Sequence, residues 1–600
     1  MKIIKRIFYL VALLCFILCS SSCNVVSKIK PGDFGEYSDR LFATIIGKDE
    51  LTIHYLFKNK DALGITDTTL SLPTPGSSSA LGKLIINLYF GPMANYNYDE
   101  LNFDQKMTYN VILNLLDRIN EKKGDMVYLD NNYLGSYLGY QAQLPILFEE
   151  YRFDSLDDVE NYFGLLSLVP ETFEEYYNYE VTKSEAGYGM PDFVIDKVID
   201  QCHEFISSGE NHFLITTFPS RLATLNLTEE EQNSLIARNK EKVLGPVCDG
   251  YRYIEEHLGN LKGQATNNLG LYHYRFLQDD GSYYELGQEY YKYLFKNATG
   301  YDVDMNEAIQ YMQDHLDSLV AEIRSLQASD PDIASKAREA VLMDPSTTPS
   351  EQMEYYKTLL DGHFPVIDRW PTINIKDVDP SMEDHFSPAA YISSAIDDYS
   401  QESIFLNWKK IDNDYNYLYT TLGHEGIPGH MYQNIYFKTQ DVNKIRKVLK
   451  SSGYQEGWAT YVELYMYNFV EDLDDNVIAY LKDYDILSGV LTARLDMGIH
   501  YEGWDQAQTK AFLETYFASY TDERVQKIFE QLVEVPTNSQ TYFYTYFKLQ
   551  DMYDRTKDAL GANFNPTEFH QVILDCGPVP LRFVEVVVDE YIEGKLNHNG

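Results

Sequence analysis

The sequence predicts a large, mainly α-helical protein with a bilobal body and minor β structure. Three observations carry that reading. From Tyr37 onward, apolar residues recur three and four apart with charged residues between them, the period of a half-buried helix. Proline and glycine punctuate these segments, as at Pro170 and Gly245-Pro246. With 600 residues, 44% of them hydrophobic, the chain is too long for one simple core yet rich enough in apolar material for a large helical body. No internal repeat and no sustained low-complexity segment interrupts it, so no separable module is expected after residue 36.

Residues 1–23 read as an export segment. Lys2, Lys5 and Arg6 form a basic start, and Ile7 to Leu18 is an apolar run too short for a comfortable membrane span. Ser20-Ser21-Ser22-Cys23 resembles a bacterial lipobox, with Ser20 where Leu is usual, so Cys23 is expected to carry the lipid anchor; an ordinary cleaved signal is the alternative. More than one acyl chain on such a cysteine suffices for stable anchoring. Residues 24–35 read as a short tether.

Helices are expected at 104–122, 155–168, 171–179, 191–208, 228–244, 246–258, 306–328 and 350–360. Start signals recur, as in Thr228-Glu229-Glu230-Glu231 and Ser350-Glu351-Gln352. The stretch from His363 to Trp408 is different: rich in Pro, Asp, Ser and aromatics, with a candidate strand at Pro371 to Ile375. It reads either as a cleft wall or as a surface connection. Helices resume at Ile411, with breaks near Gly453, Tyr520-Thr521-Asp522 and Val535-Pro536-Thr537-Asn538. The catalytic portion is placed at about 363–600 within a domain spanning 36–600.

Charge narrows the function. Forty-nine basic against 91 acidic residues leave a net charge of −42, which repels nucleic-acid phosphates and anionic lipid heads. Tyr, at 51 residues, suits both helix interfaces and cleft walls, because a polar tip rides on an apolar ring. Beyond Cys23 only Cys202, Cys248 and Cys576 remain, which is no disulfide framework and no zinc-binding Cys pattern.

The chemistry concentrates in Gly423-His424-Glu425-Gly426-Ile427-Pro428-Gly429-His430, followed by Glu456-Gly457-Trp458-Ala459. A zinc hydrolase needs three protein ligands, an open position and a nearby carboxylate. His424, His430 and Glu456 supply ligand types and Glu425 a general base. The usual H-E-x-x-H motif places both histidines four apart on one helix face; here they are six apart, roughly 120° away from each other on a straight helix. Pro428 removes a backbone donor and Gly429 permits unusual dihedrals. A kink there is expected to return His430 toward His424. On spacing alone, an accidental surface cluster stays open as the other reading.

These motifs resemble the bacterial domain-of-unknown-function family eight-eight-five, whose members look like gluzincin-type zinc peptidases. The resemblance lies in H-E-x-x-P-G-H, in E-G-W-A, and in Arg494-Leu495-Asp496-Met497-Gly498-Ile499-His500 leading to Gly503-Trp504. Looser likenesses are Pro536 to Phe547 and Phe569-His570 to Leu581. It implies a metallopeptidase-like fold enclosing a cleft, with Zn2+ on His424, His430 and Glu456; Glu463, seven residues on, is the rival third ligand. It also implies oxyanion donors, for which His500 and Tyr544 are the candidates. Aligning on Pro536 rather than Gln540 selects Tyr542 instead, and Tyr546 is a further rival. Arg494 and Asp496 are expected to form a buried ion pair or to support the site from outside it.

The expected activity is therefore metal-dependent hydrolysis of short or unfolded peptides. A zinc hydrolase of a non-peptide amide or ester, and a non-catalytic peptide-binding surface lipoprotein, are the alternatives. Mn or Co at the same ligand set is a further possibility. No G-x-S-x-G elbow, Walker loop or dinucleotide fingerprint competes.

Overall fold

Capping residues explain many of the helix boundaries. Ser155, Thr228 and Thr348 each close a reciprocal capping box, with Asp158, Glu231 and Glu351 respectively, which satisfies backbone donors the helix itself leaves free. In this computed structural model, residues 32–598 are described, apart from 47–48, 64, 66–67, 76–88, 131–132, 379, 381–382 and 384–385. The export segment with Cys23, nearly all of the tether, and Ser77-Ser78-Ser79 lie outside the described residues. The fold is mainly α, with two small sheets among the described residues, and no described helix is long and apolar enough to cross a membrane.

The chain divides into two compact units. The smaller draws on residues 32–46, 89–121 and 441–449. Its helices Phe34–Ile45 and Phe103–Glu121 bury Leu41, Phe42, Val111 and Ile112. Tyr37 donates to the carbonyls of Tyr89 and Phe90, and Arg446 pairs with Asp104 at 2.6 Å.

The larger unit holds everything else. One core in it gathers around helix α1 (Leu156–Glu185), α2 (Asp192–Ser208) and α3 (Cys248–His257). Pro170 does not break α1, as the sequence suggested; it sits inside a continuous 30-residue helix. Leu165, Leu166, Val169 and Phe173 around it are fully buried. Their burial, worth about 1.5–3 kcal/mol for each such side chain, outweighs the ~3 kcal/mol cost of an interior proline. At Gly245-Pro246 the helix widens into a π-turn (Val243–Val247) rather than stopping. Cys202, Cys248 and Cys576 are buried and are not bridged to one another.

The stretch after His363 supplies a three-stranded sheet, β1 (Thr372–Asp377), β2 (Ala389–Ile392) and β3 (Gln401–Leu406), in the order β1-β3-β2. β1 runs parallel and β2 antiparallel to the central β3, with Tyr391 opposite Ile404. Strand β2 is therefore an edge. Helices α4 (Tyr415–Glu425) and α5 (His430–Lys438) follow, then α6 (Ser452–Tyr465), α7 (Asp475–Met497), α8 (Asn538–Leu560) and α9 (Pro566–Cys576).

Candidate metal centre

The turn between α4 and α5 builds the centre. Helix α4 ends at Glu425 and α5 begins at His430, with a cis Ile427–Pro428 peptide between them. The two histidine rings come to 4.9 Å centroid to centroid, nearly perpendicular. Only glycine fits at 429: a Cβ there would lie 1.8 Å from the carbonyl oxygen of His424. The chain thus doubles back onto itself, and histidines six apart share one side.

Helix α6 lies against this turn and brings the carboxylate. Glu456 Oε2 stands 3.2 Å from Nε2 of His430 and 3.8 Å from Nε2 of His424. The ligand atoms of His424, His430 and Glu456 all fall within 4.8 Å of one another, the only such group among the described residues. Two donors bound at about 2.0–2.1 Å to one tetrahedral ion stand roughly 3.3–3.4 Å apart, close to the 3.2 and 3.8 Å from Glu456 to the two imidazoles, so the donor types and these spacings fit zinc. The three side chains are 15%, 16% and 26% exposed, which leaves one side open.

Glu463 is the outer partner of His424. Seven residues make almost two full turns, so Glu456 and Glu463 share a face of α6. Glu463 Oε2 holds Nδ1 of His424 at 2.8 Å, leaving Nε2 for a metal, the usual arrangement that fixes a ligand's tautomer and orientation. Burial works against a charge on His424, but the hydrogen bonds to Glu456 and Glu463 outweigh it and hold its pKa well above the ordinary imidazole value. Burial likewise opposes the Glu456 charge, and the two imidazoles overcome it and pull its carboxyl far below the usual range. Protons and a metal ion compete for these groups.

Glu425 turns toward the sheet. The backbone N–H of Tyr391, on edge strand β2, donates to Glu425 Oε2 at 2.8 Å. Strand β2 is itself pinned from behind: Glu402 is buried and accepts from the Tyr391 hydroxyl (2.8 Å), Ser394 N (2.9 Å) and Lys438 Nζ (2.7 Å). Asn434 on α5 also donates to the Tyr391 hydroxyl at 2.6 Å.

Two expected site residues are corrected. His500 is fully buried, with both ring nitrogens on backbone: Leu271 N–H donates to Nδ1 at 3.1 Å, and Nε2 donates to the Leu532 carbonyl at 2.8 Å. It has no donor left for a substrate and serves the core. Tyr544 packs against Phe295 and Tyr311, at 4.9 and 5.3 Å between centroids, with Lys548 Nζ 5.3 Å from its ring. Residues two apart on a helix point about 200° apart, so Tyr542 takes the side that Tyr544 does not. Its ring lies 6.4 Å from that of His424. Burial first, then the charges of Glu456 and Glu425 and a hydrogen bond to Glu456, raise the pKa of its hydroxyl.

Arg494 and Asp496 do not pair with each other either. Arg494 bonds Glu502 at 2.6 Å and lies over Trp504, while Asp496 accepts from Tyr291, Gln540 and Thr537 N. That third motif is a buried scaffold. Glu402, by contrast, carried no sequence signal.

Fold and centre together define a mainly helical protein built around a His-His-Glu cluster with a flanking glutamate. The chain belongs to the family described as "Bacterial protein of unknown function (DUF885)", which matches residues 62–588. In structure it is similar to a Colwellia psychrerythraea protein assigned as a lipoprotein (TM-score 0.77, 17% identity, covering 94% of this chain and 99% of that one). It is also similar to a Shewanella oneidensis protein assigned as a lipoprotein of unknown function (TM-score 0.64, 13% identity, covering 93% and 100%). No curated protein is detectably similar in sequence.

Proposed function

We propose that this protein is a zinc-dependent hydrolase acting on extended peptides. The observation that carries the reading is the convergence of His424, His430 and Glu456 within 4.8 Å, beside a glutamate held on an edge strand. Zinc bound by these three residues would lower the pKa of a water and polarise a carbonyl. Glu425 is the proton acceptor, its rotamer fixed by Tyr391 N–H. Tyr542 is the hydroxyl that donates to the oxygen gaining negative charge during attack, in place of Tyr544 and His500. With Tyr391 N–H taken by Glu425, the rest of the outer edge of β2 is where an extended chain would add backbone hydrogen bonds, which favours peptides over compact esters.

The test is metal content and hydrolysis of a peptide pool, on the natural protein and on Glu425→Gln. One zinc in each, with cleavage only by the natural protein, supports the reading; absence of zinc from both overturns it. Stoichiometric zinc without peptide cleavage turns the assay to non-peptide amides and esters.

Export and lipid anchoring at Cys23 belong to the same proposal. The basic and apolar leader supports them, as does the assignment of two structurally similar proteins as lipoproteins. Loss of membrane association in Cys23→Ser, with retention in the natural protein, is the expected outcome.

A further inference from the structure

A cavity lies outside the metal centre. It has a volume of about 540 Å³, within the range of sites that hold small ligands. None of His424, Glu425, His430, Glu456 or Tyr542 lines it. Its wall carries the rings of Phe205 and Tyr251, stacked 3.8 Å apart, with Ala142 and Ser208 also bordering the space. Phe386, just before β2, and Lys410, just after β3, also line it.

Phe386 is the lining residue nearest in the chain to Tyr391. It lies five residues before Tyr391, whose N–H holds Glu425. Asn407 N donates to the Pro388 carbonyl, so the ladder of β2 on β3 continues back to residue 388. At about 3.4 Å per residue, Phe386 lies no more than ~17 Å along the chain from Tyr391. An extended peptide on the β2 edge with its reacting bond at Glu425 spans that distance in about five residues. Phe205, Phe213, Pro145 and Ile146 on the lining suit a large apolar side chain, Gln143 and Asn211 suit peptide backbone, and the exposed carboxylates of Asp200 and Glu204 border the same space.

We propose that this cavity is a distal subsite that takes an aromatic or large aliphatic side chain of the substrate, four to six residues from the cleaved bond. The inference rests on the hydrolase reading for the position of that bond. It makes the protein selective for peptides long enough to reach from the metal centre to the Phe205–Tyr251 wall.

The experiment uses the full zinc-loaded chain and two ladders of quenched-fluorescence peptides. They are extended one residue at a time on the N-terminal or C-terminal side of one cleavage site, with Ala or Phe at each added position. A rise in kcat/KM of about ten-fold or more is expected when Phe occupies the fourth to sixth position of one ladder. Ala142→Trp and Ser208→Trp, each checked for zinc content and thermal midpoint, fill the cavity and are expected to abolish that increment. A flat ladder in the natural protein overturns the inference while cleavage itself still supports the hydrolase reading. So does an increment kept in every filled variant that folds. The same ladders are also titrated as ligands of Glu425→Gln by fluorescence anisotropy. If nothing is cut but the increment appears in binding and is lost on filling, the subsite stands and the peptidase reading falls. No increment in either assay overturns the subsite.

Discussion

Trp458 Nε1 donates to the carbonyl of Pro428 at 2.9 Å, so the indole of the E-G-W-A motif holds the very turn that reunites the two histidines. Both groups are buried, and the indole packs edge-on to His570 at 5.7 Å. The two motifs are thus one device: Glu456 provides the carboxylate, and Trp458, two residues on, fixes the loop that carries His430.

Trp458→Phe leaves that carbonyl without its partner, at a cost of about 1–3 kcal/mol. The mutant is expected to fold, unfold at a lower temperature, and bind zinc more weakly. Thermal unfolding with and without zinc, together with a competitive chelator titration, checks this. Unchanged zinc affinity would mean that the turn holds its shape without the indole.

Glu463 bonds His424 on the side away from Glu456. Outer partners of this kind typically contribute 10–100-fold to metal affinity. Glu463→Gln keeps the volume and is expected to weaken zinc by that factor with little loss of fold, whereas Glu456→Gln loses a ligand and weakens it further. Chelator competition on both variants ranks them. The reverse ranking would make Glu463 the third ligand.

Much of the fold was legible because helix periodicity and caps are local. Thr228 and Glu231 announce a helix start with no knowledge of what surrounds them. The centre was legible for a related reason: Pro428-Gly429 is a local break, and only a chain reversal makes two histidines six apart useful. What escaped the sequence depended on direction around a helix or on distant backbone. Tyr542 and Tyr544 lie in the same tyrosine-rich run and differ only in which side of α8 they face. His500 sits in a distinctive motif, yet its two nitrogens are satisfied by Leu271 and Leu532, neither of which the motif contains. Pro170 reads as a helix end until the burial of its neighbours is known.

The tyrosine assignment is open to a paired test. Tyr542→Phe removes only a hydroxyl, one that bonds Glu456. If that hydroxyl stabilises developing negative charge, kcat is expected to fall about 10²–10³-fold with zinc content unchanged. Tyr544→Phe is expected to leave kcat near the natural value, because that ring serves packing against Phe295 and Tyr311. Steady-state kinetics on any peptide found in the pool assay decides between them. A kcat loss confined to Tyr544→Phe would restore the alternative alignment.

Stability is expected to fall in mild acid, and His570 gives the sign. It is fully buried, with Nδ1 donating to the His363 carbonyl at 2.6 Å and Nε2 accepting from the Tyr461 hydroxyl at 2.9 Å. Burial pushes its pKa down to about 3. The unfolded chain keeps an ordinary value near 6.5. Between those two values the unfolded state binds a proton that the folded state refuses, so stability rises with pH across this window. The contribution is complete above about 6.5 and is lost as pH falls toward 3; at pH 5 the loss is about 2 kcal/mol. His54, stacked 3.8 Å from Tyr151 and also lowered to about 3, first by burial and then by Arg152, acts in the same direction. Urea unfolding of the natural protein and of His570→Gln at pH 7.5 and 5.0 measures the effect. The natural protein is expected to lose about 2 kcal/mol more than the variant between the two conditions; an equal loss in both would mean that His570 accepts a proton in the folded state.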